Sequence, residues 1–125
     1  MPRYDDRLFL PPAPVALVRL LNADTGATVE DVPMLLDTGS DLTLLPRSHI
    51  MSLGLPETGE RVSLEAFDAS ISEETAVRAT LFFTRKSFKG LFLPIDSEVG
   101  IIGRNILNQV RLIIDGPASN WDEFH

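Results

Sequence analysis

The chain has 125 residues, with 11 Lys and Arg against 18 Asp and Glu, and a formal charge of -7. That length fits one domain with its own core, and the acidic balance argues against a nucleic-acid partner, which needs a basic face. Hydrophobic residues make up 44% and charged residues 23%, the balance of a globular domain and not of a disordered chain.

Cysteine is absent, which removes disulfides, thiolate nucleophiles and cysteine-held metal together. Histidine occurs only at His49 and His125 and lysine only at Lys86 and Lys89, leaving little for a Ser-His-Asp triad or a Schiff base. Carboxylates are the abundant chemical group. Met1 to Pro14 carries early acids and prolines in place of the apolar centre of a secretion signal. No apolar stretch is long enough for a bilayer. The expectation is a soluble, cytoplasmic protein with no membrane partner.

Short strands dominate the pattern. Pro14 to Asn22 is rich in Val and Leu and runs into the turn chemistry of Asn22-Ala-Asp-Thr-Gly26. Thr28 to Asp37 would return from that hairpin, with Pro33 marking its first half as an edge or a bulge. Leu42 to Leu45 is a short apolar piece. Pro46 to Gly54 predicts a short helix: proline suits the first turn, Ile50 and Leu53 share a face, and Gly54 accepts a left-handed stop. Arg61 to Phe67 alternates, with Val62, Leu64 and Ala66 on one side. Thr75 to Phe83 alternates too, with Val77, Ala79, Leu81 and Phe83 opposite Arg78 and Thr80. The polar stretch Asp68 to Glu74 between them makes a long hairpin with an exposed tip. Further strands fit Lys89 to Ile95, Val99 to Ile102 and Arg111 to Asp115, with a helical turn over Arg104 to Gln109. Together these predict an all-β barrel or sandwich with small helices. It is a single domain over residues 1–125 with its core in 14–115. The tail from Gly116 to His125 lacks periodicity and reads as loose, although Trp121 and Phe124 are unusual in a solvated tail. Asp5-Asp6 and Glu73-Glu74 read as solvated charges, and Phe82, Phe83, Phe88 and Phe92 as core or groove aromatics.

Two segments carry chemistry. In Met34 to Leu45 an apolar run leads into Asp37-Thr38-Gly39-Ser40 and another apolar run follows. A carboxylate at the end of a buried strand is costly unless it is hydrogen-bonded or functional, and Gly39 permits a tight turn and close approach of another chain. Asp24-Thr25-Gly26 repeats the three letters, but Asn22-Ala23 stand before it where the other copy has Leu35-Leu36. A hairpin turn accounts for that copy. The second segment, Ile101-Ile102-Gly103-Arg104-Asn105, follows an apolar strand and opens a helical turn. Gly100 to Gly103 as a nucleic-acid clamp is set aside by the acidic balance.

Leu35-Leu36-Asp37-Thr38-Gly39 followed by Ile101-Ile102-Gly103-Arg104-Asn105, with room for a hairpin between them, resembles the retropepsins, the retroviral-type aspartic proteases. It also resembles their standalone relatives in cellular organisms. The match spans Pro14 to Asp115. The resemblance implies a small closed β-barrel with a flap hairpin, working as a homodimer on peptide substrates without metal or organic cofactor. Each chain would give one Asp-Thr-Gly loop to a site on the two-fold axis, so Asp37 is the catalytic residue of half a site. Two such carboxylates cannot both ionise: one acts as base toward a water that attacks the peptide carbonyl, and the protonated other donates to its oxygen.

By the same resemblance, Thr38 would bond across the two-fold to the partner loop and the Gly39 carbonyl would accept from substrate backbone. The Ser40 hydroxyl would reach the outer oxygen of Asp37. Arg104 would pair with Asp41 as a structural support, with Gly103 and Asn105 in the same segment. Val62 to Phe83 would form the flap, with Phe67, Asp68, Ala69 and Ile71 near its tip and Phe67 or Ile71 as apolar cover. The tip lacks the glycines common in retroviral flaps, which leaves a non-cleaving dimerisation or peptide-binding module as the alternative. A protease that processes its own precursor is a third reading. Retroviral dimers interleave both termini in one sheet; the N-terminal extension and the tail after Asp115 align with no such pattern, which leaves the outer contacts of the dimer open.

Overall fold

In the computed structural model, which describes residues 2–65 and 70–125, twelve elements follow in order. They are β1 (Tyr4–Asp5), β2 (Ala13–Leu21), β3 (Thr28–Leu36), β4 (Leu44–Pro46), α1 (Arg47–Leu53), β5 (Glu57–Glu65), β6 (Ile71–Phe83), β7 (Lys86–Ile95), β8 (Gly100–Ile102), α2 (Arg104–Leu107), β9 (Leu112–Asp115) and β10 (Asn120–Glu123). Alternation in β2 buries Ala16, Val18 and Leu20 and turns Leu17 and Arg19 outward. β3 returns antiparallel to it. Their turn is the first Asp-Thr-Gly: Gly26 has φ +79°, Asn22 N–H donates to the Ala27 carbonyl at 2.9 Å, and Asn22 Oδ1 accepts from Asp24 N–H. Asn22 is also buried, and its Nδ2 donates to the Leu53 and Gly54 carbonyls at the end of α1. One turn residue thus fastens the hairpin to the helix.

The first half of β3 is both an edge and bulged. β8 reaches only Met34 to Leu36, and the β2–β3 register shifts between Val18 and Leu20, close to Asp31 with its φ of +57°.

The strand order is β1-β2-β3-β8-β4-β7-β6-β5, and a further pairing of β2 with β6 closes the ring. The barrel so formed removes most strand edges and encloses Val18, Leu20, Val32, Met34, Leu45, Leu81 and Ile102. Thr80 departs from the expected outward face. It lies where β2 and β7 flank β6 on both edges, opposite Leu21 and Lys89, and is buried.

Residues Ile71 to Thr75 of β6 pair with β5 alone, so the β5–β6 hairpin leaves the ring. Ile71 to Glu74 belong to the strand, which shortens the connection read from the sequence as Asp68 to Glu74. Phe67, Asp68 and Ala69 lie outside the described residues.

The tail is not loose. β10 pairs antiparallel with β9 across the Asp115-Gly116-Pro117 turn, whose Asp115 Oδ1 accepts from Ala118 N–H. Trp121, 5% exposed, stacks obliquely on Phe83 at 5.8 Å and donates its indole N–H to the Val15 carbonyl at 3.0 Å. Trp121 N–H donates to the Pro2 carbonyl, and Arg3 bridges Asn120, so the two termini meet within one chain. A single buried indole with a satisfied N–H supplies the anchoring that periodicity lacks.

Trp121→Ala should therefore destabilise the fold by about 3–5 kcal/mol, read by urea unfolding followed by far-UV circular dichroism. A loss no larger than that of an ordinary surface substitution would mean that the tail is not anchored.

Candidate active site

β8 lies between β3, parallel to it, and β4, antiparallel. The segment 37–43 that joins β3 to β4 must therefore pass over the end of β8. There Asp37 N–H donates to the Ile102 carbonyl at 3.0 Å, Ser40 N–H to the Asp37 carbonyl at 3.2 Å, and Arg104 N–H to the Ser40 carbonyl at 2.8 Å. Gly39 N–H donates to Asp37 Oδ1 at 2.8 Å. Asp37 is half-buried, and its second carboxylate oxygen has no hydrogen-bond partner among the described residues. Thr38 and Gly39 are exposed at the crest of the loop.

Packing beneath the loop explains the second motif. A Cβ on Gly103 would meet the Leu42 carbonyl oxygen at 2.1 Å and its carbon at 2.6 Å, so backbone presses on backbone. Gly100, inside β8, is equally confined: its Cβ would lie 2.4 Å from Met34 Sδ and 2.6 Å from the Leu44 oxygen. The glycines serve close packing and form no clamp. The Thr43 hydroxyl, fully buried, donates to Asn105 Oδ1 at 2.7 Å and accepts from Gly103 N–H at 3.1 Å. Asp37, Thr38, Gly39, Ser40, Gly103, Arg104 and Asn105 are thus brought to one loop and one helix start.

Two expected contacts differ. Arg104 makes no ion pair with Asp41 among the described residues; its Nη1 donates to the Thr38 carbonyl at 2.6 Å. Both side chains are exposed, so the guanidinium takes the adjacent loop carbonyl while the Asp41 carboxylate stays in water. Ser40 Oγ donates to the Leu42 carbonyl at 2.8 Å and not to Asp37, because its own loop folds that acceptor closer.

The base of the protruding hairpin is tied as well. Arg47, at the start of α1, donates through Nε to Asp96 at 2.6 Å and through Nη2 to Glu74 at 2.9 Å. These bonds, to Asp96 first and Glu74 second, raise the Arg47 pKa above the ordinary value. Glu74 is therefore not the free solvated charge of the sequence reading, whereas Glu73 makes only an exposed pair with Arg61 at 3.4 Å. Thr43 and Arg47 are the site residues that the motifs missed. Thr43 had a signal, being the lone polar residue inside the apolar run Leu42 to Leu45; Arg47 had none, since its partners lie 27 and 49 residues away.

No family model matches the chain, and no curated protein does. Among solved structures it is similar to EIAV protease complexed with the inhibitor HBY-793, with a TM-score of 0.57 and 22% identity, covering 78% of this chain and 86% of that one. The fold is accordingly retropepsin-like: all-β, a closed ring of strands and two short helices. No helix among the described residues is long and apolar enough to cross a membrane.

Thr43→Val keeps the shape but leaves the Gly103 N–H unsatisfied, and should lower stability by about 1–3 kcal/mol in chemical denaturation. Gly103→Ala should be worse, because no side-chain movement relieves a clash with backbone. Wild-type midpoints for both variants would break this account of the loop.

Proposed function

We propose that the protein is an aspartic endopeptidase whose site is completed by a second copy of the chain. The observation that carries this reading is Asp37 itself. Its half-buried carboxylate stands beside the exposed crest of Thr38 and Gly39, one oxygen held by Gly39 N–H and the other without a partner among the described residues, on a loop fixed from below by β8 and α2. The retropepsin-like fold supports it. One chain supplies one such aspartate, and general acid–base hydrolysis of an unactivated amide needs a proton donor as well as a base. In a homodimer the two Asp37 carboxylates would share a proton. The ionised one takes a proton from water as that water attacks the scissile carbonyl, and the protonated one donates to the carbonyl oxygen. The tetrahedral adduct then collapses: the carboxyl that took the water proton gives it to the amide nitrogen as the C–N bond breaks, and a hydroxyl of the adduct returns its proton to the other carboxylate. No metal or organic cofactor is called for.

Thr38 and Gly39, exposed at the crest, are free to meet the partner loop and the substrate backbone. Arg104, bonded to the Thr38 carbonyl, and Asn105, bonded to Thr43, act as positioning residues for that loop; Asp41 remains available to a partner chain. Ile71, 70% exposed at the outer end of the hairpin, suits contact with a bound peptide. A peptide-binding module that does not cleave is favoured by one feature, the Arg47 clamp holding the hairpin base in place. The lack of cysteine suits a reducing compartment such as the cytoplasm.

Asp37→Asn should lower peptide cleavage at least about a hundredfold with an unchanged circular dichroism spectrum, assayed on a diverse peptide library across mildly acidic pH with a statine-type inhibitor as control. Undiminished cleavage by that variant would sink the mechanism. Sedimentation at micromolar concentration should give a dimer; a monomer that still cleaves would refute the half-site argument.

A further inference from the structure

A cleft of about 940 Å³ lies away from the Asp37 loop, between β1, β2, the β6–β7 turn and β10. Its floor is a gap in the outer edge of β2. β1 covers Ala13 and Pro14, β6 covers Arg19 to Leu21, and Val15 to Val18 between them face no strand on that side among the described residues. At Val15 the carbonyl is taken by the Trp121 indole N–H, a side chain standing where a neighbouring strand would pair. Backbone groups alternate in direction along a strand, so the N–H and C=O of Leu17 point the same way as the Val15 carbonyl, into the cleft. Neither β1 nor β6 reaches them, and the Leu17 side chain is 66% exposed. An open strand edge in a cleft is a template for one more strand.

The two ends of the gap differ in charge. Arg19, its guanidinium 4.1 Å over the Phe82 ring and its Nε 3.8 Å from Glu30, and Arg85 stand at the β6–β7 end. Asp5, Asp122 and Glu123 outnumber Arg3 at the β1–β10 end. β1 and β6 both run antiparallel to β2. A strand inserted between them in the same sense would begin beside Arg19 and Arg85 and finish beside Trp121.

A third observation concerns the turn at the cationic end. Thr84 and Arg85 both sit in the left-handed region, with φ +54° and +61°. Two-residue hairpin turns of this hand favour Asn-Gly, and a β-branched threonine is strained there. Strain kept in place of an easy sequence points to a use for the side chains it carries; here it carries Arg85 to the lip of the cleft.

We infer that this cleft is a second peptide-binding site, which takes an extended segment as an added strand on β2 at Leu17, with carboxylates in the segment's N-terminal half facing Arg19 and Arg85. The site is independent of the reading of Asp37. If the protein is a protease, the cleft would hold a substrate region remote from the scissile bond.

Trp121 is the sole tryptophan and lines the cleft, so its emission reports occupancy directly. The probe is a capped octapeptide, Asp-Glu-Val-Thr-Val-Thr-Lys-Lys, compared with its charge-reversed form, Lys-Lys-Val-Thr-Val-Thr-Asp-Glu. The first should shift Trp121 emission saturably, and the second should bind about fivefold more weakly. Arg85→Gly should raise the melting temperature by relieving the left-handed residue, yet weaken the first peptide about fivefold. Asp37→Asn should leave the titration unchanged, which separates failure of this site from failure of the protease reading. No saturable shift, equal binding of both peptides, or undiminished binding by Arg85→Gly would each overturn the proposal. So would a change of sedimentation in Leu17→Lys, which would make the edge a contact between copies.

Discussion

A loop that joins two strands flanking a third has to cross over the end of that third strand, and this crossing governs the arrangement of the molecule. β3 and β4 stand on either side of β8, and the segment 37–43 spans them. The crossing brings the Leu42 backbone so close to residue 103 that no Cβ fits. It also buries Thr43, whose hydroxyl is satisfied only because Gly103 N–H and Asn105 converge on it. A buried polar group without partners costs about 1–3 kcal/mol, so the loop holds its place only while the start of α2 holds its own. Asp37 inherits its position from that mutual dependence.

The chemistry follows from the same rigidity. In the proposed mechanism the Asp37 carboxylate must keep a fixed direction. Gly39 N–H fixes one oxygen, while the Ile102 carbonyl anchors the backbone behind it. The ring of strands, closed by β2 against β6, stiffens the platform below. The platform is firm, and the β5–β6 hairpin beyond it is held differently, by the ion pair of Arg47 with Glu74 at its base.

The sequence made legible what is local or forced by sterics. Asp37-Thr38-Gly39 after an apolar strand could be read because it is a local pattern, and Gly103 only through the resemblance of its segment, since the Leu42 backbone that confines it is distant in the sequence. The first Asp-Thr-Gly could be dismissed because Asn22 announces a turn. The Arg104 contact could not be read, since an exposed guanidinium chooses among nearby acceptors by small differences in geometry, and the Thr38 carbonyl won over Asp41. Thr80 was misplaced because ring closure pairs β6 on both edges and sets Leu21 and Lys89 beside Thr80 on the face that alternation assigns to solvent. β10 escaped notice because four residues, Asn120 to Glu123, are too few to show a period.

That last strand alters the meaning of the chain ends. Resemblance to the retropepsins implies termini interleaved between two chains, but here Pro2 and Arg3 meet Asn120 and Trp121 of the same chain, and β10 covers one edge of β9. Exchanging these segments with a partner would first require pulling the Trp121 indole from its pocket against Phe83 and breaking its bond to Val15. The proposed dimer is therefore relieved of terminal exchange and left with two surfaces for its contacts. One is the exposed crest at Thr38 and Gly39. The other is the uncovered edge of β9, where Ile113 and Ile114 remain about half exposed, at 50% and 52%. An open strand edge paired with its own symmetry mate gives an antiparallel, self-complementary contact. It would also remove two large apolar side chains from water. Association of two copies depends on protein concentration, so a site split across the proposed dimer would be active only where copies are abundant enough to meet.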